Sequence, residues 1–86
     1  MLIRWEREAW EEYCSWQTQD HRMLKRINLL ITDICRNGNE GIGKPEPLMH
    51  NLSGYWSRRI NSEHRLVYKL DDAGVTIVAC KYLYGD

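Results

Sequence analysis

The sequence predicts an α+β domain in which two helices lie on one face of a twisted antiparallel sheet, and three observations carry that reading. An apolar stripe of helical period runs through residues 23–34, a glycine- and proline-rich break follows over 38–54, and three short strand-like runs close the chain. With a first strand at the start, the order is β-α-α-β-β-β. At 86 residues the chain is one domain, 1–86, because a single core must serve all of it.

Each element has its own signal. Residues 1–5 are short and mostly apolar, which suits a strand. From Glu6 the pattern becomes helical: Trp10, Tyr13, Cys14 and Gln17 recur at i, i+3, i+4, i+7, with the glutamates turned to solvent. Asp20 is placed to cap a second helix, where Met23/Leu24, Ile27, Leu30/Ile31 and Ile34 make a continuous core stripe. Asn37-Gly38 ends it, since both tolerate the left-handed backbone. Residues 38–54 read as loop, with a turn at Asn51-Leu52-Ser53-Gly54. Strands are expected at 55–61, 64–70 and 75–84, the last two joined by an Asp71-Asp72-Ala73-Gly74 hairpin loop. The sheet face away from the helices should be open and present outward side chains.

Composition narrows the function classes. Twelve Lys/Arg balance 12 Asp/Glu, so bulk charge names no partner. Locally, Lys44, Arg58, Arg59, Arg65 and Lys69 face only Glu46 and Glu63, a basic field able to meet a polyanion. Cys14, Cys35 and Cys80 are odd in number and His21, His50 and His64 are dispersed, so neither set suggests metal ligands, a cofactor or a disulfide framework. There is no leader-like start and no apolar run approaching a membrane span, and the reading is a soluble cytoplasmic domain with free thiols.

The chemistry concentrates in GKPEPLMHNLSGYWSRRI, residues 43–60. Glu46 lies between two prolines, which restrict its backbone on both sides. That would suit a carboxylate meeting a proton at fixed distance, and equally a rigid solvated loop. Arg58 and Arg59 are adjacent on a strand and point to opposite faces, so one of them is structural or pairs with an acid. Tyr55, Trp56, Tyr82 and Tyr84 alternate with cations, as on sheets that hold single-stranded RNA, although Trp56 is better read as core. RNA carries its own nucleophile in the 2′-OH, so a base and a cation for the developing charge, Glu46 and Arg65, would be a usable minimum.

The segments GIGKPEPLMHNLSGYWSRRINSEHRLVYKL and VACKYLY, with LKRINLLITD at 24–33 and Trp5, Trp10, Tyr13, Trp16 and Gln17, resemble the YoeB-type toxins of the RelE-like superfamily over nearly the whole chain. The resemblance implies an mRNA endonuclease acting in the A site of the 70S ribosome without metal or cofactor, and restrained by a YefM-type antitoxin. It implies Glu46 as general base, Arg65 on the pentacovalent phosphorane, Arg59 on substrate phosphate and Tyr84 in the active site. Lys44 and Lys81 are further cations for substrate. Products would be a 2′,3′-cyclic phosphate, or its opened 3′-phosphate, and a 5′-OH. Exposed apolar groups on so short a chain, taken with the resemblance, are compatible with a homodimer.

Two positions depart from the pattern. Leu83 stands where such chains carry the general-acid histidine, and Met49 where they carry a lysine. Gly85-Asp86 also extends past the usual terminal tyrosine. Three readings follow: a weakened nuclease, with Tyr84 or Lys81 as substitute donor; a catalytically silent variant, natural or engineered, that keeps its binding functions; or a plain RNA- or protein-binding module.

Overall fold

The computed structural model describes residues 1–82. It contains β1 (Leu2–Trp5), α1 (Arg7–Gln19), α2 (His21–Asn37), β2 (Glu46–Pro47), a 3-10 turn (His50–Leu52), β3 (Trp56–Arg59), β4 (Arg65–Leu70) and β5 (Gly74–Ala79), the strands forming one sheet in the order β1-β5-β4-β3-β2. Asp20 separates the two helices by itself. Its extended backbone donates to the Trp16 carbonyl, ending α1, and its carboxylate accepts from the Arg22 N–H at 2.9 Å, starting α2. Gly38, at φ 67°, closes α2 as predicted.

The core is the α2 stripe, Ile27, Leu30, Ile31 and Ile34, joined by Ala9 and Trp16 of α1 and laid on Leu66, Tyr68, Val75 and Ile77 of the sheet. Each such aliphatic side chain contributes about 1.5–3 kcal/mol on full burial. In α1 the buried residues are Ala9 and Trp16, and of the predicted Trp10-Tyr13-Cys14-Gln17 face only Tyr13 packs against the core. Trp10 is 48% exposed and clusters with Trp5 and Tyr13 beside β1. Aromatic residues sit on adjoining columns of this helix, and only the sheet decides which column is covered. Trp56 packs against the core, as expected.

The sheet differs from the prediction in four ways. It is mixed, because β1 runs parallel to β5, Ile3 opposite Val75, while the other pairs are antiparallel. First and last strands share no hairpin, so nothing local sets their direction. Glu46-Pro47, read as loop, is a two-residue edge strand on β3, kept short by Pro45 before it and Pro47 within it, neither of which can donate to a ladder. β5 ends at Ala79 instead of continuing through Tyr82, since Cys80 turns to α1: its N–H donates to Glu12 Oε1 at 2.8 Å and its carbonyl accepts from Trp16 Nε1 at 3.0 Å. The far face is also partly covered, by a second small core of Leu48, Val67 and Ala79 with Leu52, Tyr55 and Val78.

The three cysteines are free thiols. Burial, helped by the nearby Glu12 charge, pushes the Cys80 thiol up to about 12, so it behaves as an unreactive core group. Among the described residues no helix is long and apolar enough to cross a membrane.

Candidate active site

Strand register builds the site. Glu46 pairs with Ser57, Ser57 with Val67, and Arg59 with Arg65. Paired residues share a face, as do residues two apart on a strand, so Glu46, Ser57, Arg59, Arg65, Val67 and Lys69 all belong to the face away from the helices. Strand spacing and rise put the Glu46 and Arg65 backbones roughly 12 Å apart, within converging reach of two long side chains. Arg59 and Arg65 stand directly opposite, where like charges repel at Cβ separations of about 5 Å. Among the described residues neither guanidinium has an ion pair, and the Glu46 carboxylate has neither ion pair nor hydrogen bond. An acid beside two unneutralised cations suits an anionic ligand with a proton to lose.

Arg58 faces the other way and is fully buried. All five of its N–H donors are used. Nε reaches the Tyr68 hydroxyl at 3.3 Å, Nη1 reaches Asp33 Oδ2 at 2.5 Å and the Ile42 carbonyl at 3.0 Å, and Nη2 reaches the carbonyls of Gly38 at 2.6 Å and Glu40 at 2.9 Å. The guanidinium beside Asp33 holds that carboxyl below its ordinary value against the opposing effect of desolvation. Of the two adjacent arginines, Arg58 is therefore the structural one. It fastens the loop from Gly38 to Ile42 to α2, and the chain then runs through Gly43 into Lys44-Pro45-Glu46. The Gly43 carbonyl accepts from Arg59 N–H at 2.7 Å, and a Cβ at Gly43 (φ 79°) would lie 2.7 Å from Leu30 Cδ2, so only glycine fits. Lys44 follows at φ 51°, an uncommon conformation for a side-chain residue, two positions before the glutamate that the prolines flank.

Arg65 is half-buried, and its Nη1 donates to the carbonyls of Asn61 at 2.8 Å and His64 at 3.2 Å. Asn61 in turn folds the β3–β4 turn, its Oδ1 accepting from the Glu63 and His64 N–H groups at 2.9 and 2.7 Å. Among the described residues nothing else engages Nη2 and Nε of Arg65, which suits them to a ligand. Lys69 Nζ, part of the basic field read from the sequence, lies 5.5 Å from the Tyr55 ring centre on the same face.

A family model for the YoeB-like toxin of bacterial type II toxin–antitoxin systems matches residues 5–84. The chain belongs to that family. Toxin YoeB of Escherichia coli (strain K12) is 55% identical over 84 residues, spanning 98% of this chain and 100% of that protein. A YoeB dimer from Staphylococcus aureus matches with a TM-score of 0.92 at 53% identity, and a YoeB–YefM complex from the same organism with 0.91 at 52%, each over 98% of both chains. The expected α+β RelE-like fold is thus the fold of YoeB toxins.

Set against the roles expected of a YoeB-like chain, the structure gathers Glu46, Arg59 and Arg65 on one sheet face, with exposed Lys44 two residues before Glu46. Lys81 is elsewhere. Its ammonium donates to Ser15 Oγ and Gln19 Oε1 at 2.8 and 2.9 Å and lies 4.7 Å from the Trp16 ring centre, which ties it to α1. Leu83 and Tyr84 lie outside the described residues. Met49 is exposed at the start of the 3-10 turn. The Arg58–Asp33 anchor was only half legible, since nothing in the sequence says which acid 25 residues away would meet the arginine.

Proposed function

We propose that this chain is a ribosome-dependent endoribonuclease, the toxin of its toxin–antitoxin pair, and that it cleaves mRNA in the A site by attack of the 2′-OH. The observation that carries the reading is the Arg59–Arg65 pair, without an ion pair among the described residues, on the same face as Glu46 and away from the helices. In this mechanism Glu46 takes the 2′-OH proton as the 2′-oxygen bonds to phosphorus. Arg65 stabilises the added charge of the phosphorane through the N–H groups its backbone contacts leave free, while Arg59 and Lys44 hold phosphate. The P–O5′ bond then breaks, giving a 2′,3′-cyclic phosphate and a 5′-oxygen that needs a proton. Residue 83, a leucine, cannot supply it, and Lys81 is occupied at α1. The proton then comes from Tyr84 or water, and turnover is correspondingly slow. A YefM-type antitoxin covering this face, and a homodimer, are the partners we propose, by analogy with the Staphylococcus aureus assemblies.

The test is cleavage of ribosome-bound mRNA by purified protein, with 5′-OH ends mapped. Glu46→Ala should lower the rate by at least ~10²-fold. Arg65→Ala should lower kcat by a similar factor with ribosome affinity nearly unchanged, because its contact forms in the transition state. Undiminished cleavage by Glu46→Ala would overturn the assignment. Tight antitoxin binding by a wild-type chain that never cleaves would instead support the silent variant suggested by Leu83.

A further inference from the structure

We infer that His64 is a positioning residue for the proposed reaction, fixing both Arg65 and the chain that leads into residues 83 and 84; in its catalytic part this rests on the nuclease reading above. His64 is 7% exposed, a buried histidine with no role legible from its place beside Arg65. Its Nδ1 accepts the Tyr82 N–H at 2.7 Å, and the next N–H along, that of Arg65, donates to the Tyr82 carbonyl at 3.1 Å. Two consecutive residues of β4's entry thus hold both backbone polar groups of Tyr82. That grip matters because Tyr82 sits at φ 65°, which a residue with a Cβ keeps only when its surroundings over-determine it.

The same histidine also reaches the catalytic side. Its own carbonyl accepts from Arg65 Nη1 at 3.2 Å and from Ile60 N–H at 3.0 Å, so the β3–β4 turn, the Arg65 guanidinium and Tyr82 form one hydrogen-bonded unit. The ring is walled edge-on by Trp16 at 4.8 Å between centres and by the tilted Tyr82 ring at 5.6 Å. Because Nδ1 must accept, the ring proton sits on Nε2, 3.7 Å from Glu63 Oε1. Trp16 meanwhile donates to the Cys80 carbonyl and Lys81 is held by α1, so His64 completes a clamp on three successive residues, 80 to 82. A buried histidine that served packing alone would not need an acceptor aimed at one amide.

The test separates acceptor from bulk. In His64→Asn the amide oxygen takes the place of Nδ1, whereas in His64→Gln the longer side chain carries its polar atoms to the position of Nε2. Hydrogen exchange of the Tyr82 amide, followed by NMR, should be at least 10-fold faster in His64→Gln and within about threefold of wild type in His64→Asn, with the Leu66 and Ile77 amides equally protected in all three as the folding control. Cleavage of ribosome-bound mRNA should follow the same order, kcat falling about 10-fold or more in His64→Gln and recovering in His64→Asn at unchanged ribosome affinity. Equal Tyr82 exchange in both variants overturns the clamp, and faster exchange with unaltered kcat overturns its positioning role. A wild-type chain that cleaves nothing overturns the nuclease reading and the catalytic part with it, while Tyr82 exchange still decides the clamp.

Discussion

Replacing Arg58 by methionine should cost this domain about 3 kcal/mol, although the new side chain fills much the same space. Arg58 is fully buried and its five donors serve five acceptors: the Asp33 carboxylate, the Tyr68 hydroxyl and the carbonyls of Gly38, Glu40 and Ile42. Breaking a buried pair by deleting one partner costs ~3–5 kcal/mol. The low end applies because the Asp33 side chain is 18% exposed and water can take up part of what it loses. For a domain of this size, ~3 kcal/mol corresponds to a Tm lower by roughly 12–24 °C, readable by circular dichroism. Arg58→Lys should fall between, since an ammonium has three donors for five acceptors. The pH dependence supplies a second check. Asp33 has a depressed carboxyl in the folded state, so its pairing stabilises fully above the unfolded value near 3.8 and is lost as pH falls through the folded value. The Tm gap between wild type and Arg58→Met should therefore narrow below about pH 4; Asp20 and Asp71, also depressed, are present in both proteins and cancel. A Tm drop under ~4 °C, equivalent to less than ~1 kcal/mol, would refute the claim that this guanidinium anchors the loop before Glu46.

Two further outcomes are expected. Gly74→Ala should destabilise by about 1–3 kcal/mol, because a Cβ there would lie 2.0 Å from the Leu2 carbonyl oxygen and 2.6 Å from its nitrogen, backbone that can move only by releasing β1; loss of amide protection in residues 2–5 would show it. Leu83→His should raise cleavage of ribosome-bound mRNA by at least ~10²-fold by restoring a donor for the 5′-oxygen, and a folded variant with no gain would shift attention to Met49 or to Gly85-Asp86.

By itself the sequence determined what depends on neighbours along the chain. The α2 stripe, the Asp20 cap, the Gly38 stop and the approximate strands all follow from periodicity and local backbone preference, which act within a turn or two. The opposition of Arg58 and Arg59 also followed, because alternation along a strand is local. The resemblance placed nearly the whole chain among YoeB-type toxins and named Glu46, Arg59 and Arg65. Tertiary structure alone decided what depends on distant partners. It brought β1 parallel to β5, chose Ala9 and Trp16 over Trp10 as the buried line of α1, and drew Lys81 to Ser15 and Gln19. It also made Glu46-Pro47 an edge strand whose register sets the acid on the same face as Arg59 and Arg65. Such pairings join residues as far apart in the chain as Leu2 and Gly74, and their energy comes from burial and shared hydrogen bonds that exist only once the sheet has assembled. Asp33 meets Arg58, and His64 meets Tyr82, for that reason and no local one.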